Sequence, residues 1–230
     1  MSHDKVLLIT GASSGIGAET ARAAAANGYR LALAARSADR LEALAAELGD
    51  DRAIALTCDV TDYAAQERMV ETVLERYGRL DAVFANAGVG GKPGGFSGAP
   101  PESWRTLVDV NVLGVAYTLR ASLAALGKTR GHVLITGSIA GRRTLAGSMY
   151  SVTKWAVSAI GYGLREELRG TGIRVTLIEP GIVDTPFFDE PKPDGLRAND
   201  VARSVLFALE QPPSVDLHEL VVIPTPPLED

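Results

Sequence analysis

Short apolar runs recur along the chain and are separated by stretches of helical period. "KVLLIT" (5–10), "RLALAA" (30–35), "AIALTC" (53–58), "LDAVFAN" (80–86), "HVLITG" (132–137), "RVTLIE" (174–179) and "ELVVIP" (219–224) read as strands. Their near-continuous hydrophobicity predicts strands covered on both faces, as in a parallel sheet. Helical patterns fall at 15–27, 38–48, 63–77, 101–127, 147–169 and 198–210. Strand–helix alternation with right-handed crossovers predicts a doubly wound α/β sheet. No linker divides the chain, so residues 1–230 are expected to form one domain. The Gly/Pro-rich piece "GVGGKPGGFSGAPP" (88–101) follows a strand, where such sheets place their ligands. The tail "PTPPLED" (224–230) reads as extended and mobile.

Within the fifth helical pattern, "MYSVTKWAVSAI" (149–160) puts Tyr150 and Lys154 one turn apart on one face. Val152, Trp155, Ala156 and Ala159 fall on the opposite side, spaced as a packing stripe. The pair reads either as a solvated surface couple or as an acid tuned by a cation.

Composition narrows the choice of function. The 230 residues suffice for a substantial core; 46% are apolar and 22% charged, ordinary for a globular protein. A formal charge of −5 and a pI near 5.3 do not fit nucleic-acid binding. No apolar run approaches the roughly 18 residues of a membrane span. The opening "MSHDKVLLIT" lacks the basic and apolar regions of a signal peptide. The single Cys58 excludes an intrachain disulfide and fits a reducing compartment, so the cytoplasm is the expected location. Cys58 itself reads as a small core residue. His3, His132 and His218 show no metal-ligand spacing, and no metal site is expected.

The first strand runs into "TGASSGIGAET", with Gly11, Gly15 and Gly17 spaced G-x3-G-x-G. Glycines there allow unusual backbone angles and close approach to a pyrophosphate, which the next helix's N–H groups would bind. Ser13, Ser14 and Ile16 belong to the same candidate contact. Nineteen residues past Gly17, where an NAD-selecting carboxylate is expected, stands Arg36. An arginine can grip a 2′-phosphate bidentately, so NADP(H) is favoured over NAD(H). Ser37 and Arg40 could assist, while Asp39 opposes. Asp59, followed by Val60, ends the third strand; it either accepts from an adenine amino group or caps the next helix. Asn86, Ala87 and Gly88 end the fourth strand and allow close backbone passage beneath a ribose.

"TGASSGIG", "NAG", Asn111, Ser138 in "TGSIAG", Tyr150-x-x-x-Lys154 and "PGIVDT" occur in this order. Together they resemble the short-chain dehydrogenase/reductase family over residues 5–224. The resemblance implies a Rossmann fold with seven strands in the order 3-2-1-4-5-6-7. It implies hydride transfer between a nicotinamide and a carbonyl or alcohol on a CH–OH centre. It also implies catalytic roles for Asn111, Ser138, Tyr150 and Lys154. Lys154 would also hold the nicotinamide ribose, and Asn111 would relay to Lys154 through water; the alternative for Asn111 is a satisfied buried amide. Pro180, Gly181, Ile182 and Thr185 would face the nicotinamide amide and cofactor, or form an ordinary turn.

The chemistry is sound on physical grounds. Carbonyl reduction needs a proton for oxygen, and a phenol of pKa about 10 is poorly matched to neutral pH. A cation about 4 Å away, at an effective dielectric near 20, is worth roughly 4 kcal/mol, or about three pKa units. Lys154 is therefore expected to bring Tyr150 toward neutrality. Ser138 would hold the substrate oxygen beside the phenol.

Ile139, Ala140, Met149, Val183 and Phe187 are expected to wall a small-molecule pocket. Arg142 or Arg143 either pairs with a substrate carboxylate or sits in solvent. The last residues, 198–225, resemble the branch with NADP-dependent 3-hydroxy acid and serine dehydrogenases. The expected reaction is interconversion of a small carbonyl and a secondary alcohol, with 3-hydroxy acids a candidate class. A 3-oxoacyl-carrier-protein reductase and a non-catalytic NADP-binding redox sensor are the alternatives. Helices 101–127 and 147–169 are expected to build a homodimer and the last strand a homotetramer, with no nucleic-acid or membrane partner.

Overall fold

In the computed structural model, residues 5–225 are described; His3 and the end of the expected tail lie outside them. Each apolar run becomes a strand: β1 Val6–Thr10, β2 Arg30–Ala35, β3 Ala53–Thr57, β4 Ala82–Ala85, β5 His132–Thr136 and β6 Arg174–Pro180. Two short strands, β7 Val183–Asp184 and β8 Leu196–Arg197, pair only with each other, and β9 Glu219–Val222 returns to the main sheet. That sheet is parallel throughout, in the order β3-β2-β1-β4-β5-β6-β9. It is the predicted order, with β9 as the seventh strand.

The helices are α1 Gly15–Ala26, α2 Ala38–Leu48, α3 Tyr63–Tyr77, α4 Gly95–Gly98, α5 Pro101–Val108, α6 Gly114–Thr129, α7 Met149–Glu167 and α8 Ala198–Leu209. Local chemistry sets several ends. Asp62 accepts from the Ala65 N–H to start α3, and Gly78 at φ 73° closes it. Alternate strand residues feed opposite layers. Leu7, Ile9, Leu31 and Phe84 pack with Val201 and Val205 of α8 on one face. Leu8, Val83, Val133 and Leu177 pack with Met69, Leu119 and Val157 on the other.

The structure corrects two expectations. The helix expected over 101–127 is not one uniform α-helix: residues Asp109–Leu113 form a π turn between α5 and α6. The extra residue rotates Asn111 inward, where it is buried among polar partners. Gly114, just after it, lies so close to Val60 that a Cβ would sit 2.8 Å from Val60 Cγ2. The 101–129 stretch is also long and apolar enough to cross a membrane by length and composition, with 44% of its most apolar window buried inside the protein. The second correction concerns α7. Its expected packing stripe faces outward, with Val152 48% and Trp155 51% exposed. The buried face carries Ser151, Thr153, Lys154, Val157, Ser158 and Gly161. Small residues win that face because the helix lies almost on the sheet: a Cβ on Gly161 would sit 2.9 Å from Leu177.

At the amino ends of the strands, His132 is buried with Nε2 2.8 Å from Thr176 Oγ1 and Nδ1 without a hydrogen-bond partner. Burial, reinforced by Arg174 and Lys5, pushes it down to about 3. The unfolded chain would protonate it near 6.5, so the unfolded state binds the extra proton between those values. Stability is therefore present above about 6.5 and falls by up to about 1.4 kcal/mol per unit as pH drops toward 3. In His132→Gln, which keeps a partner for Thr176, the melting temperature should decline less on acidification than in the wild type. Parallel declines would refute this.

Candidate active site

Side chains fasten the carboxyl ends of three strands. Thr10 Oγ1 accepts from the Asn86 and Ala87 N–H groups at 3.0 and 3.2 Å. Asn86 Nδ2 donates to the Thr10 carbonyl at 3.0 Å, and Thr136 Oγ1 donates to Asn86 Oδ1 at 3.0 Å. Lys154 Nζ completes the chain, donating to the Thr136 carbonyl at 2.8 Å. A cleft of about 1110 Å³ opens above this chain. Thr10 and Thr136 escaped the sequence reading because a threonine at a strand end carries no distinctive local signal.

One end of the cleft suits a dinucleotide. Gly11 and Gly15 adopt φ +67° and +54°, values side chains disfavour. A Cβ on Gly17 would sit 2.3 Å from the Gly11 carbonyl oxygen, so the loop and α1 close only with glycine there. The first turn of α1 holds no acid and Ser14 makes no side-chain cap, which leaves the helix's N–H groups for an anion. The residues present therefore fit a pyrophosphate. Ser13, Ser14, Gly15, Ile16, Arg36, Asp59, Val60, Ala87 and Gly88 line the same cleft, while Gly17 lies beneath it as a packing residue. Thr185 meets the loop from across the cleft, 3.3 Å from where a Gly15 Cβ would be. Helix capping falls to Asp62, not Asp59. Asp59 instead accepts from Thr61 N and Oγ1, and these bonds, with Arg36 nearby, hold its carboxyl below the usual range. Cys58 also lines the cleft, but burial pushes its thiol up to about 11, which leaves it inert.

At the other end Ser138 caps a single 3-10 turn, Ile139–Gly141, with its Oγ accepting from Ala140 N at 3.1 Å. The Ser138 hydroxyl is also close enough to Tyr150 to pull the phenol's pKa down. Lys154 is fully desolvated; burial pushes it down to about 8, and its Nζ lies 5.8 Å from the centroid of the Tyr150 ring. The expected pull on Tyr150 comes from Lys154 together with the positive charge of an oxidised nicotinamide. Burial pushes the phenol up to about 12, against only the pull of Ser138, because the ammonium is directed at the Thr136 carbonyl. In the chain by itself, burial thus strengthens the hold of Tyr150 on its proton.

Asn111 does not line the cleft. Its Oδ1 accepts from Val89 N at 2.8 Å, and its Nδ2 donates to Val89 O at 3.0 Å and Thr153 Oγ1 at 3.2 Å. Its side chain forms no bond to Lys154 among these contacts; the two flank Gly88, whose missing Cβ would lie 3.3 Å from Oδ1 and 4.0 Å from Nζ.

Ile139, Ala140, Met149, Pro180, Gly181, Ile182, Val183 and Phe187 line the cleft as expected from sequence. The Phe187 ring stands 5.8 Å from that of Tyr150 and is backed by Gly90, where a Cβ would come within 3.3 Å. Arg142 does not line the pocket. Its guanidinium is paired with Glu179 and Glu219, which removes it as a substrate anchor. Sequence proximity placed it near Ser138, but carboxylates 37 residues and more away claim its side chain. Lys92, within the loop 88–101 expected at the site, and Lys192, outside the expected lining, also line the cleft.

The model of the short chain dehydrogenase family matches residues 5–194. The chain belongs to the short-chain dehydrogenase family. Its sequence is 37% identical over 227 residues to an uncharacterised oxidoreductase of Staphylococcus haemolyticus, covering 96% of this chain and 98% of the relative. Among solved structures it is similar to an alcohol dehydrogenase from the archaeon Thermococcus sibiricus complexed with 5-hydroxy-NADP. That match has a TM-score of 0.90 and 36% identity, covering 98% of this chain and 99% of the other. Escherichia coli serine dehydrogenase matches with a TM-score of 0.87 and 31% identity over 95% and 97%. Short-chain dehydrogenases act on CH–OH groups with a nicotinamide cofactor, and the protein is an oxidoreductase of this kind.

Gly17→Ala tests the nucleotide end. The methyl group cannot fit between Gly11 O and Asn86 Nδ2, so NADPH affinity measured by fluorescence titration should fall at least about 10-fold, with a lower melting temperature. Unchanged affinity would show that the loop is not held by this approach.

Proposed function

We propose that the protein is an NADP(H)-dependent oxidoreductase interconverting small carbonyl compounds and secondary alcohols, with 3-hydroxy acids the favoured class. The observation that carries this reading is that Ser138, Tyr150 and a buried Lys154 line one cleft whose other end is built of glycines. The nicotinamide, when bound, supplies or takes up the hydride. In the reductive direction Ser138 holds the substrate oxygen, and Tyr150 gives it the phenolic proton. Lys154 stabilises the negative charge left on the tyrosine oxygen, and takes effect only as that charge appears. In the oxidative direction the same groups run in reverse. Asn111 fixes the Val89 loop and α7 together, and a water between its Oδ1 and Lys154 would complete the relay that the family implies.

Arg36 at the cleft rim favours the 2′-phosphate of NADP(H). The similarity to serine dehydrogenase and to an enzyme complexed with 5-hydroxy-NADP supports both parts of the reading. Family members are typically oligomeric, and the outward apolar stripe of α7, with Val152, Trp155 and Tyr162, supports a homodimer as the working state. The single cysteine and the family assignment support a cytoplasmic location.

The test follows nicotinamide absorbance with a panel of oxo-acids, aldehydes and ketones. Tyr150→Phe should lower kcat by about 100-fold or more while NADPH still binds, since general acid catalysis contributes about 10²–10⁴. Full turnover by that variant would remove the assigned acid. Arg36→Ala should weaken NADPH binding by about 10-fold or more and leave NADH little changed, the loss of one bidentate charged contact. Equal effects on both would remove the NADP preference. Lys154 loses its proton as pH rises through about 8, so the rate of reduction should fall above that pH. A rate that keeps rising there would contradict the role of the ammonium.

A further inference from the structure

Glu179, the last residue before Pro180, is fully buried. Its Oε1 accepts from Ser158 Oγ at 3.2 Å, and its Oε2 meets Arg142. The same guanidinium reaches Glu219 on β9, which in turn accepts from Tyr162 Oη. Arg142 closes the 3-10 turn that Ser138 opens: the Arg142 N–H donates to Ile139 O at 3.0 Å, and Gly141 N–H to Ser138 O at 2.8 Å. Only three residues therefore separate the two ends of one rigid turn. A Cβ on Gly137 would sit 2.8 Å from Glu179 Cγ, so β5 meets Glu179 with no space between them.

We propose that Arg142 is a positioning residue, whose paired guanidinium holds the Ser138 turn in register with the Pro180–Gly181 turn. The inference rests on the catalytic reading of Ser138 given above. The Ser138 turn faces the substrate oxygen, whereas the Pro180–Gly181 turn lines the cleft on the side of the cofactor. One cation between them sets their spacing. Such spacing matters because displacement of about 1 Å at a reacting pair costs up to about 100-fold in rate. A buried carboxylate requires its cation, so the register is enforced by Glu179 rather than by the exposed end of Arg142, whose side chain is 32% exposed.

The test compares wild type, Arg142→Met and Arg142→Lys, assayed with NADPH and a carbonyl substrate well below each melting temperature. Arg142→Met should lower kcat by about 10- to 100-fold while the NADPH Kd stays within about 3-fold. Arg142→Lys, which keeps a cation beside Glu179, should recover most of the loss. Amide hydrogen exchange at residues 138–142 and at Gly181 should be faster in Arg142→Met than in the wild type. Arg142→Gln, which keeps a donor toward Glu179, reads the same separation if the Met variant does not fold. A kcat within about 2-fold of wild type, a loss of NADPH binding equal to the loss of kcat, or no recovery with lysine would each overturn the proposal. The exchange readout needs no turnover. An inactive wild type would therefore reject the catalytic reading alone, while unchanged exchange would reject the clamp.

Discussion

The site is organised around one buried ammonium. Lys154 is buried, and burial weakens its hold on its proton. The Thr136 carbonyl answers that cost with a bond of 2.8 Å, and the Thr136 hydroxyl ties the same residue to Asn86. Asn86 is tied in turn to Thr10. The ammonium is therefore anchored across the ends of β5, β4 and β1 together. Every hydroxyl and amide in that chain has a partner, as a polar network in a low-dielectric interior must. The consequence is a lysine held toward the strand ends and a phenol whose hold on its proton burial strengthens. A tyrosine held as an acid suits proton delivery to a carbonyl better than one already ionised. The cation beside it then matters when the phenolate forms, not before.

The same crowding explains the glycines. Gly11, Gly17 and Gly88 leave room at the junction of β1, α1 and β4, where a single Cβ would meet backbone or the Asn86 and Asn111 amides. Gly90 and Gly91 do the equivalent at the substrate end, letting Phe187 and Tyr150 close against the loop. Phe187 continues this wall to Phe188, 5.2 Å away, and Lys192 stands over Phe188 at 5.4 Å. A rigid polar floor and an aromatic outer wall together define a small reaction volume.

Much of this was legible from residues alone, for identifiable reasons. Buried parallel strands announce themselves because both faces must be apolar, so all seven runs appeared in the main sheet. The glycine loop and the Tyr150–Lys154 spacing are short-range features that sequence order preserves. What escaped depends on partners distant in sequence. Nothing near Arg142 in the chain hints at Glu179 or Glu219. The π turn at Asp109–Leu113 is invisible because periodicity reads the same on either side of one inserted residue. A spacing of four residues fixes the backbone but not where the ammonium points, so the Thr136 carbonyl as partner of Lys154 was not legible.

The outward stripe on α7 shows how far an apolar pattern can be read. Spacing identified a face that would be packed, and the choice of face was wrong within one chain: Val157, Leu164 and small residues such as Ser158 and Gly161, not Val152 and Trp155, meet the sheet. Close approach explains this, since a helix lying directly on β6 has room for Gly161 and Ser158 but none for an indole. Large apolar residues are then displaced to the opposite side, where they stay exposed on the isolated chain. The same logic covers the 101–129 stretch, whose mean hydropathy passes a membrane criterion while Gln66 and Thr118 bury a polar bond against its inner face. A membrane-spanning helix could face lipid with its apolar residues, but it would not need Gln66 from α3 to bind the Gly114 carbonyl. The apolar content of α7 therefore includes an outward side as well as the side toward the sheet.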